Sequence, residues 1–190
     1  NVSQVPAEIV EKAKSTLRHL EVGALIVVGG DGSLTTGLQL FEMGVPVIGV
    51  PKTIDNDIQA TATSFGFDSA VAAVVDALDR LHTTAESHKR VIVLEVMGRH
   101  AGWIALYGGM AGGADVILLP EIPFDFEHVA KAIRKRDAAG HHSTLVVVAE
   151  GARSESGQLL TKEKVGVKGE DRLGGIGDYV AKHIEKATGK

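Results

Sequence analysis

Residues 24–40 read ALIVVGGDGSLTTGLQL, an apolar run that stops at two glycines before a helix-like segment begins. The run is rich in β-branched residues and nearly continuous, which is typical of a parallel strand buried on both faces. Glycines allow the positive φ angles and close approaches that a tight turn requires. The stretch therefore predicts a strand, a turn and a helix, the repeating unit of an α/β fold.

The same alternation continues along the chain. Apolar residues recur at helical spacing from Phe67 to Leu81, from Phe126 to Ile133 and from Ile176 to Ala187. Alternating strands and helices predict an α/β fold with a doubly wound, mostly parallel sheet and helices on both faces. The polar, glycine-rich residues from Arg153 to Arg172 lack periodicity and predict a loop. The further strands are predicted in the segments VPVIGV, RVIVLEV, DVILLP and STLVVVA.

The composition limits the classes of function. Of the 190 residues, 44% are hydrophobic and 23% are charged, which suits a globular domain. A net charge of -4 without a long basic run argues against nucleic acid or an anionic membrane as the main partner. The sequence has no cysteine, which excludes disulfides and thiolate metal sites and fits a cytoplasmic location. Because the sequence opens on Asn1 and closes directly after a helical pattern, we expect it to be part of a longer protein.

Polar motifs follow four of the predicted strands. GGDGS follows ALIVV, PKTIDND follows VPVIGV, MGRHAG follows RVIVLEV, and Glu150-Gly151 follows STLVVVA. In an open α/β sheet, ligands bind beyond the carboxyl ends of the strands. The sequence therefore predicts that all four motifs face one rim.

The GGDGS motif can bind phosphate and a cation. Ser33 is predicted to cap the following helix, whose free amides can then receive phosphate oxygens. Asp31 can hold Mg²⁺, which favours one or two carboxylates together with phosphate oxygens. The alternative is a structural turn in which Asp31 caps the helix. The motif lacks the Gly-Lys-Ser/Thr element of a P-loop and the spacing of a dinucleotide fingerprint.

The PKTIDND motif crowds Lys52, Thr53, Asp55, Asn56 and Asp57 into one loop. In an extended segment Asp55 and Asp57 would face the same side, and two close carboxylates need a cation, a proton or a hydroxyl between them. Such a pair suits a base that removes a hydroxyl proton and an acid that orients the hydroxyl or binds metal. The alternative is a surface turn of the kind that Asn and Asp commonly make.

The MGR motif places Arg99 at a strand end, where a guanidinium can neutralise charge on a transferring phosphoryl group. Pairing of Arg99 with a structural carboxylate is the alternative. His88, Lys89 and Arg90, just before that strand, form either a solvated corner or a phosphate-binding edge, and the residues alone leave this open.

With these motifs assembled, the chain closely resembles the 6-phosphofructokinase family. GGDGS, PKTIDND, DRLHTTAESHKRVIVLEVMGRHAG and AGGAD match that family in order and spacing, and the match runs from Ala24 to Lys190. The resemblance implies phosphoryl transfer from ATP to the 1-hydroxyl of fructose 6-phosphate, a step of glycolysis. It also implies that residues 1–115 are part of a donor-binding domain and that residues 116–190 are part of a sugar-phosphate-binding domain.

The resemblance also implies roles for individual residues. Asp31 would bind the Mg²⁺ of the donor, with Gly30, Gly32 and Ser33 beside the donor phosphates. Asp55 would be the base that takes the proton of the sugar hydroxyl. The resemblance also implies that Asp57 helps to hold the substrate and the metal. Thr53 and Arg99 would contact the transferring phosphoryl group, and Lys52 is a further catalytic candidate. The residues that would position the sugar are Met97, Gly98 and Glu150. Arg90 would reach the sugar 6-phosphate of a neighbouring subunit, which implies a homodimer or homotetramer.

The donor depends on two positions. Pyrophosphate-dependent members carry an aspartate where this chain has Gly32, so Gly32 leaves room for a nucleotide and favours ATP. Lys52 is usual in pyrophosphate-dependent members, so pyrophosphate stays the alternative donor. Thr36 replaces a small glycine near the nucleotide of allosteric members, and His82, Ala139, His141 and Asp115 depart from their effector-site residues.

Two active-site regions of the family are absent from this sequence: its first glycine-rich strand end and its GHxQRGG region. We therefore expect the chain by itself to carry the base and the metal-binding acid without turning over. A non-catalytic regulatory relative is the rival from another class, although it has no chemical need for Asp31, Asp55 and Arg99. A nucleotide-sugar or lipid kinase with a similar GGDG turn leaves TIDND and MGR unexplained.

Overall fold

The computed structural model describes residues 5–59, 61–155, 161–164, 171–173 and 175–190 and confirms the predicted α/β fold. All five predicted strands form, and each pairs in parallel. The three helices predicted from apolar spacing also form. The described elements, in chain order, are α1 (Ala7–His19), β1 (Leu25–Gly29), α2 (Asp31–Glu42), β2 (Val47–Thr53), β3 (Phe65–Gly66), α3 (Phe67–His88), β4 (Val91–Val96), α4 (Trp103–Ala111), β5 (Val116–Leu118), α5 (Phe126–Ala138), β6 (Thr144–Ala149), β7 (Thr161–Lys164), β8 (Asp171–Leu173) and α6 (Ile176–Thr188).

The chain divides into two compact units, Asn1–Gly66 and Phe67–Lys190. We refer to them as the first unit and the second unit. The boundary between them lies at the start of α3, whereas the predicted division into donor and sugar domains lies at residue 115. That functional division stays a prediction.

The first unit contains a parallel sheet with the strand order β1-β2-β3. In its register Leu25 pairs with Val47 and Gly29 with Pro51. Helix α2 packs on one face, where a Cβ at Gly37 would lie 3.4 Å from Val27 and 3.5 Å from Val47. On the opposite face Ile26 and its neighbours in the sheet, Val28 and Ile48, are more than half exposed.

The second unit contains a parallel sheet with the strand order β4-β6-β5, and every residue of the central strand β6 is buried. Val146 and Val148 face a core formed with α5 and α6. Helix α4 covers the other face, because a Cβ at Gly109 would lie 2.8 Å from Ile117 of β5. Ile117 pairs with Val147, and successive side chains of a strand point to opposite faces of the sheet. Val147 therefore faces away from the core that Val146 and Val148 face. The prediction of helices on both faces is therefore confirmed in this unit.

The prediction of a loop from Arg153 to Arg172 is wrong at the two segments where the structure has strands. β7 and β8 pair antiparallel, with Thr161 opposite Leu173 and Lys164 opposite Asp171. Backbone hydrogen bonds form such a ladder without apolar alternation, so the sequence pattern did not reveal these two strands. Residues 156–160 and 165–170 of the predicted loop lie outside the described residues.

Within the described parts of the chain, none of the helices is both long enough and apolar enough to cross a membrane.

Candidate active site

The turn after β1 leads into α2 without a side-chain cap. The helix begins at Asp31, the backbone of Gly30 occupies the N-cap position, and no side chain accepts a cap hydrogen bond there. The prediction that Ser33 caps the helix is therefore wrong, and so is the alternative that Asp31 does. The helix starts three residues earlier than a Ser33 cap predicts, because the extended Gly30, with φ of -83° and ψ of -167°, turns the chain directly into it.

The start of α2 has the properties of an anion and cation site. Leu34 is the first residue whose amide donates to a backbone carbonyl of this turn, that of Gly30 at 3.0 Å. The amides of Asp31, Gly32 and Ser33 precede it and have no acceptor within the helix. Such amides, together with the helix dipole, favour a phosphate group. The Asp31 carboxylate is exposed and belongs to the same turn.

The described residues contain no cluster of three or more His, Cys, Asp or Glu side chains that could hold a metal ion. A cation at Asp31 would thus draw most of its ligands from phosphate oxygens and water. This donor set fits Mg²⁺, which is commonly bound by one or two carboxylates plus substrate phosphates.

The ends of β1 and β2 lie side by side. A Cβ at Gly30 would lie 3.6 Å from the Thr53 Cβ and 3.8 Å from the Lys52 carbonyl oxygen. Four predicted site residues, Gly30, Asp31, Lys52 and Thr53, are therefore brought together within the first unit. Lys52 is exposed and Thr53 is half-buried.

Thr53 and Asp55 form a reciprocal pair. The Thr53 hydroxyl donates to the Asp55 Oδ2 at 3.2 Å, and the Asp55 amide donates to the same hydroxyl oxygen at 3.3 Å. The pair fixes the Asp55 carboxylate relative to the end of β2. One half-buried carboxylate is thus held beside the turn that begins α2, as a base acting on a bound substrate requires.

The loop is not extended at Asn56, so the argument that Asp55 and Asp57 share a side does not apply. Asn56 has a φ of 55°, in the left-handed region. Its carboxamide oxygen accepts from the Ser64 amide at 2.9 Å, and its nitrogen donates to the Ala62 carbonyl at 3.4 Å. Asn56 therefore bonds across the loop to residues six and eight positions away, unlike the Asx turn that was the alternative.

The second unit brings together four other predicted residues, Met97, Gly98, Arg99 and Glu150. The Glu150 amide donates to the Val96 carbonyl at 2.9 Å, and the next amide, that of Gly151, donates to the Gly98 carbonyl at 3.1 Å. A Cβ at Gly151 would lie 2.0 Å from the Arg99 carbonyl oxygen. The ends of β4 and β6 therefore meet in a junction that only glycine permits.

Arg90 lies apart from that junction. It directly precedes β4, whereas Met97 directly follows it. A strand of this length spans about 20 Å, so Arg90 lies at the opposite end of the sheet from the MGR motif. Its carbonyl accepts from the Thr144 amide at 3.2 Å, and its side chain is exposed.

Sequence reasoning missed several residues that hold these strand ends. Ser64 was not singled out, although it is only 2% exposed and bonds to both Thr53 and Asn56. Glu121 was also missed, and its carboxylate accepts from the Gly102 amide at 2.8 Å. Asn56 itself gave a usable signal, because Asn is enriched at positive φ. The hydrogen bonds of Ser64 and Glu121 connect distant positions and leave no local pattern.

The chain is similar to known proteins in both sequence and fold. The family model described as Phosphofructokinase matches residues 2–190. An ATP-dependent 6-phosphofructokinase of Chloroflexus aggregans is 53% identical over 179 residues, which cover 94% of this chain and 49% of that protein. A pyrophosphate–fructose 6-phosphate 1-phosphotransferase of Streptomyces coelicolor is 53% identical over 182 residues, covering 95% and 53% respectively.

Solved structures show the same likeness. The pyrophosphate-dependent phosphofructokinase of Nitrosospira multiformis has a TM-score of 0.78 and 29% sequence identity, over 96% of this chain and 46% of that one. The phosphofructokinase of Saccharomyces cerevisiae has a TM-score of 0.72 and 32% identity, over 80% and 24%. The chain spans about half the length of the curated relatives it matches. On sequence and fold together, this chain belongs to the phosphofructokinase family.

Proposed function

We propose that the protein containing this chain is a 6-phosphofructokinase that transfers a phosphoryl group from ATP to the 1-hydroxyl of fructose 6-phosphate, giving fructose 1,6-bisphosphate. The observation that carries the proposal is the Thr53–Asp55 pair beside the open start of α2. This arrangement supplies a positioned base next to a phosphate-binding turn. A non-catalytic relative would have no use for either.

Asp55 would accept the proton of the sugar hydroxyl as its oxygen attacks the phosphoryl group. Thr53 holds the Asp55 carboxylate through its hydroxyl at 3.2 Å and would also contact the transferring group. Phosphoryl transfer depends mainly on positioning and on stabilisation of charge, so a single base suffices. Asp57, exposed two residues further on, would help to hold the substrate and the metal.

The start of α2 would hold the donor. The amides of Gly32 and Ser33 would receive phosphate oxygens, and Gly30 allows the close approach. Asp31 would bind Mg²⁺, which, when present, would neutralise charge on the donor phosphates. Lys52, exposed at the end of β2, would add a positive charge on the same side.

The junction in the second unit would supply the sugar-positioning residues. Met97, Gly98 and Glu150 would contact the sugar, and Arg99 would stabilise charge on the phosphoryl group. Arg90, far from that junction in its own chain, would serve the 6-phosphate of a neighbouring subunit. We therefore propose a homo-oligomer, and the cytoplasmic location also stays a prediction.

Pyrophosphate is the second candidate donor. Relatives named for ATP and for pyrophosphate are equally similar, at 53% identity, so overall similarity does not choose between them. The exposed Lys52 favours pyrophosphate, whereas Gly32, which has no side chain to exclude a nucleotide, favours ATP. We give Gly32 more weight because it acts directly on nucleotide access.

The test is a coupled assay of the full-length protein with fructose 6-phosphate and with ATP or pyrophosphate offered separately. We expect turnover with ATP, and we expect Asp55→Asn to lower kcat by about 10²–10⁴-fold because the base is lost. Asp79→Asn, which alters an exposed aspartate of α3, is the matched control and should leave kcat unchanged. Turnover with pyrophosphate alone would reverse the donor assignment, and undiminished turnover of Asp55→Asn would remove the base assignment.

A further inference from the structure

Building on the proposed function, we infer that Ser64 and Asn56 act as a clamp that positions the base Asp55. The clamp consists of the Ser64 hydroxyl and amide, the Asn56 carboxamide and the Thr53 carbonyl. Neither Ser64 nor Asn56 is needed for the chemistry of phosphoryl transfer. Their role follows from where they hold the chain.

Ser64 binds the chain on both sides of Asp55. Its hydroxyl donates to the Thr53 carbonyl at 2.8 Å, and its amide donates to the Asn56 Oδ1 at 2.9 Å. The residue is 2% exposed, so water does not compete effectively for these hydrogen bonds. One buried residue thus bonds to the backbone two positions before the base and to the side chain one position after it.

Asn56 supplies the change in chain direction. A φ of 55° is unfavourable for most residues, but Asn tolerates it because its short polar side chain can bond locally. The carboxamide bonds to Ser64 and Ala62 favour this conformation. The turn at Asn56 therefore sets the direction in which the backbone leaves Asp55.

The clamp is attached to the sheet. Ser64 directly precedes β3, whose Phe65 and Gly66 pair in parallel with Lys52 and Thr53. Gly66 has a φ of 105°, and a Cβ there would lie 3.5 Å from Ile54. The clamp thus joins the TIDND loop to a strand pair instead of to another loop.

The position of the Asp55 carboxylate depends on the clamp. The only described side-chain hydrogen bond of the Asp55 carboxylate is the one from Thr53. The remaining orientation comes from the backbone that the clamp holds. A displacement of about 1 Å at a catalytic group can cost on the order of 10²-fold in rate.

The experiment compares variants of the full-length protein assayed with fructose 6-phosphate and the donor that the wild type uses. Ser64→Ala removes the hydroxyl, and Ser64→Thr keeps it. Asn56→Gly keeps the positive φ but removes the carboxamide bonds. Thr61→Ala is the matched control, because Thr61 lies in the same segment and its hydroxyl bonds only to the Thr63 carbonyl among the described residues.

We expect Ser64→Ala and Asn56→Gly each to lower kcat by about tenfold or more, while the KM for the phosphoryl donor changes less than about twofold. Ser64→Thr should recover most of the kcat, and Thr61→Ala should keep it. A purely structural role would instead lower the amount of folded enzyme and leave kcat per folded molecule unchanged. Circular dichroism and active-site titration measure that amount.

Two results would overturn the positioning role: a folded Ser64→Ala enzyme with wild-type kcat, or a Thr61→Ala enzyme that loses as much kcat as Ser64→Ala. If Ser64→Ala does not fold, Asn56→Gly decides, and wild-type kcat in that variant counts against the clamp. A wild-type protein that uses neither ATP nor pyrophosphate would instead overturn the proposed function, and the clamp's role with it.

Discussion

The loop after β2 in the first unit and the junction of β4 with β6 in the second unit both carry candidate site residues at the carboxyl ends of parallel strands. In the first, side chains hold the backbone: Thr53 binds Asp55, and Ser64 binds Asn56. In the second, the backbones themselves touch, with Gly151 packed against the Arg99 carbonyl. The two strand ends should therefore respond differently to substitution. A hydrogen-bonded loop can keep part of its geometry when one bond is lost, whereas a packed backbone has no room for an added atom.

The largest effect is expected for Gly151→Ala. Its Cβ would lie 2.0 Å from the Arg99 carbonyl oxygen and 2.9 Å from that of Gly98, and both contacts are with backbone. Because no side chain can rotate away, we expect the free energy of unfolding to fall by more than about 3 kcal/mol, above the usual cost of overpacking. Urea unfolding of the full-length protein measures it.

Gly23→Ala is the control for that substitution. A Cβ at Gly23 would have no heavy atom within 4 Å, and its φ is not in the positive range. Its effect on unfolding should be within about 0.5 kcal/mol, as for ordinary surface positions. If Gly151→Ala were as mild as Gly23→Ala, the β4–β6 junction would not be held by backbone packing.

A smaller effect is expected at Thr53, where side-chain bonding holds the loop. Thr53→Val removes both hydrogen bonds to Asp55 and should cost about 1–2 kcal/mol in the free energy of unfolding, the net value of one or two hydrogen bonds. Thr53→Ser keeps the hydroxyl and should keep most of the stability. Parallel urea unfolding of the two variants is the measurement, and equal stability of both would contradict the hydrogen-bonded description of this loop.

The smallest effect is expected where neither close packing nor a loop hydrogen bond is involved. The Lys190 ammonium holds the pKa of Asp137 below its usual value, and the His142 ring adds a smaller effect in the same direction. A lowered folded pKa stabilises the protein above the ordinary aspartate pKa of about 3.9, and that stability is lost as the pH falls through the folded pKa. Asp137 is at the surface, so solvent screens the interaction.

Asp137→Asn removes the titrating carboxylate at that surface. Thermal unfolding from pH 6 to pH 2 should show a slightly less stable variant at pH 6, with the difference from wild type disappearing toward pH 2. A difference that grew as the pH fell would reverse the sign of this argument.

The strands show how far the sequence could predict the fold. β1 and β6 read alike, as continuous β-branched runs, and both were predicted to be buried on both faces. β6 is buried at every position, whereas Ile26 and Val28 of β1 are more than half exposed. An apolar run indicates a preference for burial, but whether each face of the strand is buried depends on the helices that pack on it in the tertiary structure. The short polar strands β7 and β8 show the converse case, because backbone pairing needs no apolar pattern.

The candidate site divides in a similar way. GGDGS, TIDND and MGR could be placed at strand ends from the sequence, since each follows an apolar run. The N-cap of α2 was predicted wrongly as Ser33, because the start of this helix depends on the backbone conformation of Gly30. The argument that Asp55 and Asp57 share a side assumes an extended segment, and it does not apply because Asn56 takes a positive φ.

The sequence by itself determined the α/β alternation, the position of each polar motif behind its strand and the family to which the chain belongs. Local spacing and residue type carry this information, since strand, helix and turn preferences act over a few residues. Only the tertiary structure decided that Ser64 closes the loop around Asp55 and that Gly151 meets Arg99. The Ser64 hydrogen bonds join residues 8 and 11 positions apart, and Gly151 and Arg99 are 52 positions apart. Contacts across such distances leave no periodic trace in either segment.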